Sequence, residues 1–243
     1  MAQTAIGELE AARAFVAGLE QDVEPLLQQV EGGPFVDAVL DGSFPLEGIR
    51  FVHTNHYHAA LNDLSNLNLY VAKARSEGEM LFFHSRAAQQ KSRVEALYRL
   101  ADALGIERDE LRASEPSAAC LVRTNYFSRL AEYGAPGDVA LALLLNSLVW
   151  AAGAQKEARG LRRHYGLGAL VAGTDTRDTD VLEGLATVTE DFRMGALEVI
   201  SRDLGSQEGE GKMRMAGWWA VEYEAMVWEA YHREGLENAG EDA

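Results

Sequence analysis

Apolar residues recur along most of this chain at intervals of three and four positions, which places them on one face of an α-helix. No stretch alternates apolar and polar residues over the length of a strand, and the helix formers Ala, Leu, Glu and Arg are abundant. The pattern predicts helices over residues 4–31, 34–41, 45–75, 78–104, 116–133, 137–164, 178–204 and 212–234. We therefore predict an all-α fold, in one domain that covers residues 1–243.

The breaks between these helices coincide with residues that end or start helices. Gly and Pro stand together in "EGGPF", "DGSFP" and "YGAPGD". Gly105 ends the fourth helix, and "SEPSAA" places Ser114 and Pro116 where the next helix can start. The longest polar loop is predicted over residues 172–180, and no internal repeat is visible.

The charge of the chain narrows the classes of partner. With 38 acidic and 22 basic residues the formal net charge is -16, which argues against nucleic acid and anionic membranes as partners. No apolar run approaches the roughly 18 residues of a spanning helix, and the N-terminus lacks the pattern of a signal peptide. The single cysteine, Cys120, excludes an internal disulfide. We expect a cytoplasmic protein whose partner is a small molecule.

Three histidines lie close together in "FVHTNHYHAALNDLSNL", which starts at residue 51. None of His53, His56 and His58 is four positions from another, the spacing that a helical zinc pair needs, so the pattern disfavours a three-histidine metal site. His53 and His56 are expected to be structural or exposed.

His58 belongs to a stripe of residues spaced by four and three: Phe51, Asn55, His58, Asn62, Ser65 and Leu69. The stripe is uncharged over three turns, although a quarter of the chain is charged. One interpretation is that Asn55, His58 and Asn62 line an internal polar pocket. A half-exposed polar face is an equally good interpretation.

Two other helices carry titratable candidates. His84 follows Phe82 and Phe83, which favours a buried position, as a hydrogen-bonded core residue or a ligand. On the last helix Glu222 and Glu224 lie about 200° apart, so one of them faces inward. Burial would raise the pKa of that carboxyl and suit it to acid–base catalysis, unless an arginine or a hydroxyl simply neutralises it.

The order of these segments resembles the TenA and PqqC proteins, which share the heme-oxygenase-like fold. Similar stretches begin at "GPFVDAVLDGSFPLEGIRFV", continue through "MLFFHSRAAQQKSRVEALYRLADALGI" and "PSAACLVRTNYFSRLAEYG", and end at "EYEAMVWEAY". The resemblance covers about residues 33–231. It implies about seven main helices around a central pocket for one small, flat molecule, in a homodimer or homotetramer.

TenA proteins are thiaminases that salvage aminopyrimidines, and their functional positions match this chain unevenly. The resemblance implies an Asp and a Tyr three apart on the helix that here carries Asn55 and His58. It implies a nucleophilic Cys near Ser147 to Trp150, where this chain has none.

Two further TenA positions fall late in the chain. A tyrosine pair on the fourth helix of the family corresponds to Arg123 and Tyr126, and a catalytic Glu four residues before a Trp corresponds to Glu224 and Trp228. Arg123 would hold an anionic group of the ligand. We expect Glu224 to be buried and hydrogen-bonded to Tyr126, His58 or water, without a tight pair to Arg123.

PqqC proteins are metal-free oxidases, and their active histidine corresponds to His84. Relatives with two irons carry ligands that correspond here to Tyr98, Thr187 and Met194, so we predict no diiron centre. A single metal held by His58, His84 and Glu224 is geometrically imaginable, but we predict neither a metal nor a cofactor.

The resulting prediction is an enzyme that performs acid–base chemistry on a small, flat, anionic aromatic or heteroaromatic metabolite, as a cofactorless oxidase of the PqqC type. The alternatives are a TenA-like aminopyrimidine hydrolase without its Cys nucleophile and a non-catalytic binding protein. The predicted catalytic residues are Glu224, His58 and His84. The predicted substrate-binding residues are Asn55, Asn62, Phe83, Arg123, Tyr126, Ser147 and Trp150.

Overall fold

A computed structural model describes residues 2–169, 175, 177–185, 187–205 and 207–241. Its described part contains ten helices: α1 (Ala2–Glu31), α2 (Pro34–Asp41), α3 (Leu46–Lys73), α4 (Glu77–Ala103), α5 (Arg108–Ala113), α6 (Val122–Tyr133), α7 (Pro136–His164), α8 (Asp180–Leu185), α9 (Glu190–Asp203) and α10 (Gln207–Glu241). The all-α prediction is confirmed. Seven helices have at least 12 residues, and α2, α5 and α8 are shorter.

Helix α7 is the centre of the bundle and packs against α1, α2, α8, α9 and α10. Its core face includes Leu141, Leu144 and Leu145, all fully buried. At Gly160 a Cβ atom would lie 2.3 Å from the carbonyl oxygen of Val39, so only glycine allows α2 to approach α7 this closely. The second packing unit joins α3 to α4, α6 and α10.

We expected no apolar run long enough to cross a membrane, and α7 differs from this expectation. By length and composition alone, α7 could cross a membrane. In the bundle, 67% of its most apolar stretch is buried by protein. The apolar residues are those of a core helix.

Several helix boundaries differ from the prediction. The helix predicted from residue 116 begins at Val122, because the Oδ1 atom of Asn55 accepts the backbone N–H of Ser117 at 2.8 Å and the stretch before α6 forms turns. The helix predicted over 178–204 is two helices, and the hydroxyl of Thr189 caps the second by accepting the N–H of Phe192 at 3.2 Å. The predicted loop 172–180 lies largely outside the described residues.

On α10 the inward carboxylate is Glu224, which is fully buried, and Glu222 is exposed. Trp228 on the same helix is buried. Trp218 and Met226 are 37% and 46% exposed. Met226 lies about 200° around the helix from Trp228, so both cannot face the core.

Candidate functional site

A cavity of about 60 Å³ lies at the centre of the bundle, between α3, α4, α6, α7 and the start of α9. This volume limits a ligand to a small molecule unless side chains move. The lining residues are His56, Ala60, Asp63, Asn66, Leu67, Tyr70, Arg86, Gln90, Arg93, Arg123, Phe127, Leu143, Asn146, Ser147, Trp150, Thr187 and Phe192.

Helices α3, α4 and α7 each present one regular face to this cavity. On α3 the cavity face follows the spacing four, three, four, three through His56, Ala60, Asp63, Leu67 and Tyr70. The other two faces follow the same rule: Arg86, Gln90 and Arg93 on α4, and Leu143, Asn146, Ser147 and Trp150 on α7. We placed the pocket on a neighbouring stripe of α3, although the spacing of the cavity face is visible in the sequence.

Arg123 ties two carboxylates together beside the cavity. Its Nη1 atom donates to both oxygens of Asp63, at 2.7 and 2.6 Å, and Thr124 Oγ1 donates to Asp63 Oδ1 at 2.6 Å. Its Nε atom lies 2.9 Å from Glu224 Oε2, which also accepts a hydrogen bond of 2.8 Å from Asn146 Nδ2. The side chains of α3, α6, α7 and α10 are thereby joined in one network.

Glu224 lies directly behind the cavity wall. It contacts the lining residues Arg123 and Asn146 but does not line the cavity itself. Burial raises the pKa of Glu224, while the nearby Arg123 charge and the Asn146 hydrogen bond oppose that rise. The arrangement makes Glu224 a residue that positions Asn146 and Arg123.

The structure contradicts the expectation that Glu224 avoids Arg123. A buried carboxylate needs a nearby cation or several donors, and Arg123 is the cation within reach. With both carboxylates engaged, Arg123 is not free to anchor a ligand anion. Tyr126 also differs from the prediction: it lies half-buried outside the cavity, with ring centroids 5.2 Å from Tyr223 and 6.2 Å from Trp219.

The two other arginines that line the cavity lack a carboxylate partner among the described residues. Arg86 is only 8% exposed, donates from Nη1 to Gln89 Oε1, and stacks its guanidinium 3.9 Å from the centroid of the Phe192 ring. Arg93 is half-buried and donates to Gln90 Oε1 at 3.3 Å. Burial lowers the pKa of Arg86 to about 9 and that of Arg93 to about 10, and the Arg93 charge adds to the effect on Arg86. The nearby charge of Asp63 opposes the decrease for Arg93, whereas Arg86 brings a positive charge without a paired carboxylate to the cavity wall.

The histidines do not occupy the predicted places. His84 is exposed on the outer face of α4, and His58 bonds through Nε2 to Ser114 Oγ at 2.8 Å, outside the cavity, where burial lowers its pKa. His56 is buried, lines the cavity and stacks on Trp150 with ring centroids 4.8 Å apart. The α3 stripe that we assigned to the pocket, with Asn55, His58 and Asn62, faces the end of α5 and the α6 region instead. The residues that line the cavity follow one or two positions later in the sequence.

Three of the predicted binding residues are structural. The Nδ2 atom of Asn55 donates to the Phe51 carbonyl oxygen at 2.9 Å, in addition to the contact with Ser117. Asn62 donates to Ser128 Oγ at 3.3 Å, and Phe83 packs in the core. Of the predicted set only Arg123, Ser147 and Trp150 line the cavity. The lining residues that we missed include the polar side chains of His56, Asp63, Asn66, Arg86, Gln90, Arg93 and Asn146.

Metal and cysteine chemistry find little support in the described part of the chain. It holds no group of three or more His, Cys, Asp or Glu that could bind a metal ion, and His58, His84 and Glu224 are not brought together. Cys120 is buried in the core, and burial raises its pKa to about 12. The absence of a metal and of a cofactor stays a prediction.

Comparisons with known proteins identify the family. The sequence profile of the TENA/THI-4/PQQC family matches residues 20–173, more than half of the chain. The chain belongs to this family. One curated relative, the aminopyrimidine aminohydrolase of Halalkalibacterium halodurans, is 29% identical over 133 residues, which cover 54% of this chain and 59% of that protein. The chain thus matches only about three fifths of that relative's length.

Solved structures place the TENA/THI-4/PQQC chain in the heme-oxygenase-like fold. A domain of unknown function with that fold from Shewanella denitrificans has a TM-score of 0.77 at 15% identity, covering 93% of this chain and 95% of its own. A TenA homologue from Pyrococcus furiosus has a TM-score of 0.69 at 15% identity, covering 89% and 99%. At such identities the likeness establishes the fold alone.

Proposed function

We propose that this chain hydrolyses an amino group from a small amino-substituted heterocycle that binds in the central cavity. The observation that carries the proposal is the carboxylate of Asp63, which faces the cavity and is fixed there by Arg123 and Thr124. Asp63 and Asn66 also lie three apart on α3, the spacing of the Asp and Tyr that the resemblance implies for this helix.

The polar groups of the cavity are suited to an amino-heterocycle. The Asp63 carboxylate can only accept hydrogen bonds, which suits the N–H groups of an amino-heterocycle. Asn146 donates its N–H to Glu224, so its carbonyl oxygen is left as a second acceptor. Trp150, backed by the stacked ring of His56, offers a flat wall for an aromatic ring. Glu224 would orient Asn146 and hold Arg123 against Asp63.

The proposed reaction breaks the C–N bond and forms a C–O bond with water. One proton of the attacking water passes to Asp63 and then to the departing nitrogen, which leaves as ammonia, while the hydroxyl stays on the carbon. The α7 face of the cavity offers Asn146 and Ser147 where a nucleophilic Cys would be expected, so we propose direct attack by water. The similarity to the aminopyrimidine aminohydrolase of Halalkalibacterium halodurans supports this reaction class.

The oxidase of the PqqC type has weaker support. It was predicted with His58 and His84 as proton-transfer groups, but His84 is exposed and His58 contacts Ser114. Neither lines the cavity. A non-catalytic binding protein is the remaining alternative, and the assay below distinguishes it.

The test measures ammonia release from a panel of aminopyrimidines with a coupled glutamate dehydrogenase assay. Asp63→Asn should lower the rate by about 100-fold or more, because the amide keeps the shape but accepts no proton. The control His84→Gln removes a predicted catalytic residue that is exposed, and it should keep the rate within about twofold. Binding of a pyrimidine without ammonia release would favour a binding protein, and full activity of Asp63→Asn would remove Asp63 from the mechanism.

A further inference from the structure

Arg86 and Arg93 lie where the central cavity meets the surface. Both residues line the cavity, and both also line a shallow outer pocket together with Gln89, Ser92, Thr187 and Thr189. Their guanidinium groups therefore stand between the inner cavity around Asp63 and the solvent.

The hydrogen bonding of these groups is incomplete. Arg86 is more than nine-tenths buried, and its Nε–H has no acceptor among the described residues. Both guanidinium groups contact a glutamine oxygen, and neither forms an ion pair within the described part of the chain. Thr189 accepts the N–H of Phe192, so its own hydroxyl proton is left to donate. Buried charge without a counter-charge is costly, so an anion at this position would be strongly favoured.

We propose that Arg86 and Arg93 form a phosphate subsite at the mouth of the cavity, so that the substrate is a phosphate monoester of an amino-heterocycle whose ring occupies the inner cavity. This inference rests on the proposed function for the role of the ring. A phosphate monoester carries a charge of about -1.5 to -2 and three acceptor oxygens. It can therefore bind two guanidinium groups at once better than a carboxylate with its single charge can.

The charges around the subsite favour this position over other parts of the cavity. Arg123 is already compensated by Asp63 and Glu224, so it does not attract a further anion. Two acidic residues in the first turn of α9, Glu190 and Asp191, are exposed and line neither pocket. The chain as a whole is strongly acidic, so attraction of an anion depends on these local cations.

The experiment compares four probes by calorimetry on the purified chain: 4-amino-5-(hydroxymethyl)pyrimidine, its phosphate monoester, 4-aminopyrimidine-5-carboxylate and inorganic phosphate. We expect the monoester to bind at least about tenfold more tightly than the alcohol and more tightly than the carboxylate. Arg86→Gln and Arg93→Gln should each weaken monoester binding by about tenfold or more and change alcohol binding by less than about twofold.

Lys91→Gln is the matched control, because it removes one positive charge from an exposed position on the same helix, and it should change neither affinity. Thermal melts of the empty variants give a second measurement: loss of an uncompensated buried charge should leave the melting temperature of Arg86→Gln unchanged or raised. Equal binding of alcohol and monoester, tighter binding of the carboxylate, or an equal effect of Lys91→Gln would overturn the phosphate subsite.

The failures of the two proposals can be told apart. Tight, arginine-dependent binding of the monoester without ammonia release would support the subsite and contradict the hydrolase. Ammonia release from the uncharged pyrimidine without preference for the monoester would support the hydrolase and contradict the subsite.

Discussion

Two buried glutamates, Glu224 on α10 and Glu157 on α7, meet opposite surroundings. Glu224 lies 2.9 Å from the Nε atom of Arg123 and accepts a hydrogen bond from Asn146. Glu157 faces His53, with 3.5 Å between Oε1 and Nε2, and neither ring nitrogen of His53 forms a hydrogen bond to the described residues. Burial raises the pKa of both carboxyls, to about 8 for Glu157, but only for Glu224 do a cation and a donor oppose the rise.

The difference shows that burial alone does not define a functional carboxylate. Glu224 is buried with its counter-charge and takes part in the network that fixes Asp63 in the cavity. Glu157 has no compensating cation, so it keeps its proton at neutral pH, which avoids the cost of a buried ion. The former belongs to the site, and the latter is a neutral packing residue.

The largest loss of stability is expected for a substitution that removes one charge from the network around Arg123. Glu224→Ala should destabilise the protein by about 3 kcal/mol or more, because it removes one partner of a buried ion pair and leaves Asn146 without its acceptor. Urea denaturation at pH 7 measures this loss. The control is Glu222→Ala, two residues away and exposed, which should cost less than about 1 kcal/mol. Equal losses for the two variants would contradict the assignment of Glu224 to a buried network.

The sequence predicted this pair of glutamates correctly, and it predicted the bundle. Periodicity identified the long helices to within a few residues at most ends, and the 200° separation of Glu222 and Glu224 required one of them to face inward. The arrangement of these helices came from the resemblance. The helix positions and the inward side of α10 depend on hydrophobicity averaged over many residues. Such an average tolerates errors at single positions.

The cavity face of α3 could not be chosen in this way. Asp63 is charged, and a charged residue on a helix is normally exposed. Its burial beside the cavity depends on Arg123, which is 60 positions away in sequence, and no local pattern reports that contact. For the same reason a stripe of uncharged polar residues around Asn55 suggested a pocket. Its polar side chains have distant partners instead: Asn55 bonds to Ser117, His58 to Ser114 and Asn62 to Ser128.

The second prediction concerns the pH dependence of stability. The pKa of Glu157 is about 8 in the folded chain against a usual 4.5, so the folded state holds a proton that the unfolded state releases between these values. The stabilising contribution of Glu157 is therefore complete below pH 4.5 and decreases as the pH rises to about 8. Glu157→Gln should remove this loss. Between pH 5 and pH 8, its free energy of unfolding should rise relative to that of the wild type by on the order of 3 kcal/mol.

Stability curves of both proteins from pH 5 to pH 8 measure that difference. Glu198→Gln, an exposed position on α9, controls for the general effect of removing an acidic residue and should follow the wild-type slope. If Glu157→Gln also follows the wild-type slope, the carboxyl is ionised at neutral pH and the contrast with Glu224 disappears.

The smallest effect at neutral pH is expected for His53→Phe. Burial lowers the pKa of His53 to about 4, so at pH 7 the ring is neutral, and it faces a protonated Glu157. Phenylalanine has a similar shape and leaves no unsatisfied nitrogen, so the change at pH 7 should stay within about 1 kcal/mol. In acid the variant should be more stable than the wild type. As the pH falls from 6.5 to about 4, His53 takes up a proton in the unfolded state but not in the folded state, which destabilises the folded wild type. His53→Phe escapes this loss.

The same variant discriminates between a neutral pair and an ion pair. If His53 and Glu157 were both charged at pH 7, His53→Phe would leave a buried carboxylate without its partner and would cost about 3–5 kcal/mol. The separation of 3.5 Å and the absence of hydrogen bonds from His53 to the described residues favour the neutral pair. Denaturation curves at pH 5 and pH 7 separate the two cases, because a neutral pair gives a gain at pH 5 and almost no change at pH 7, whereas an ion pair gives a loss at both.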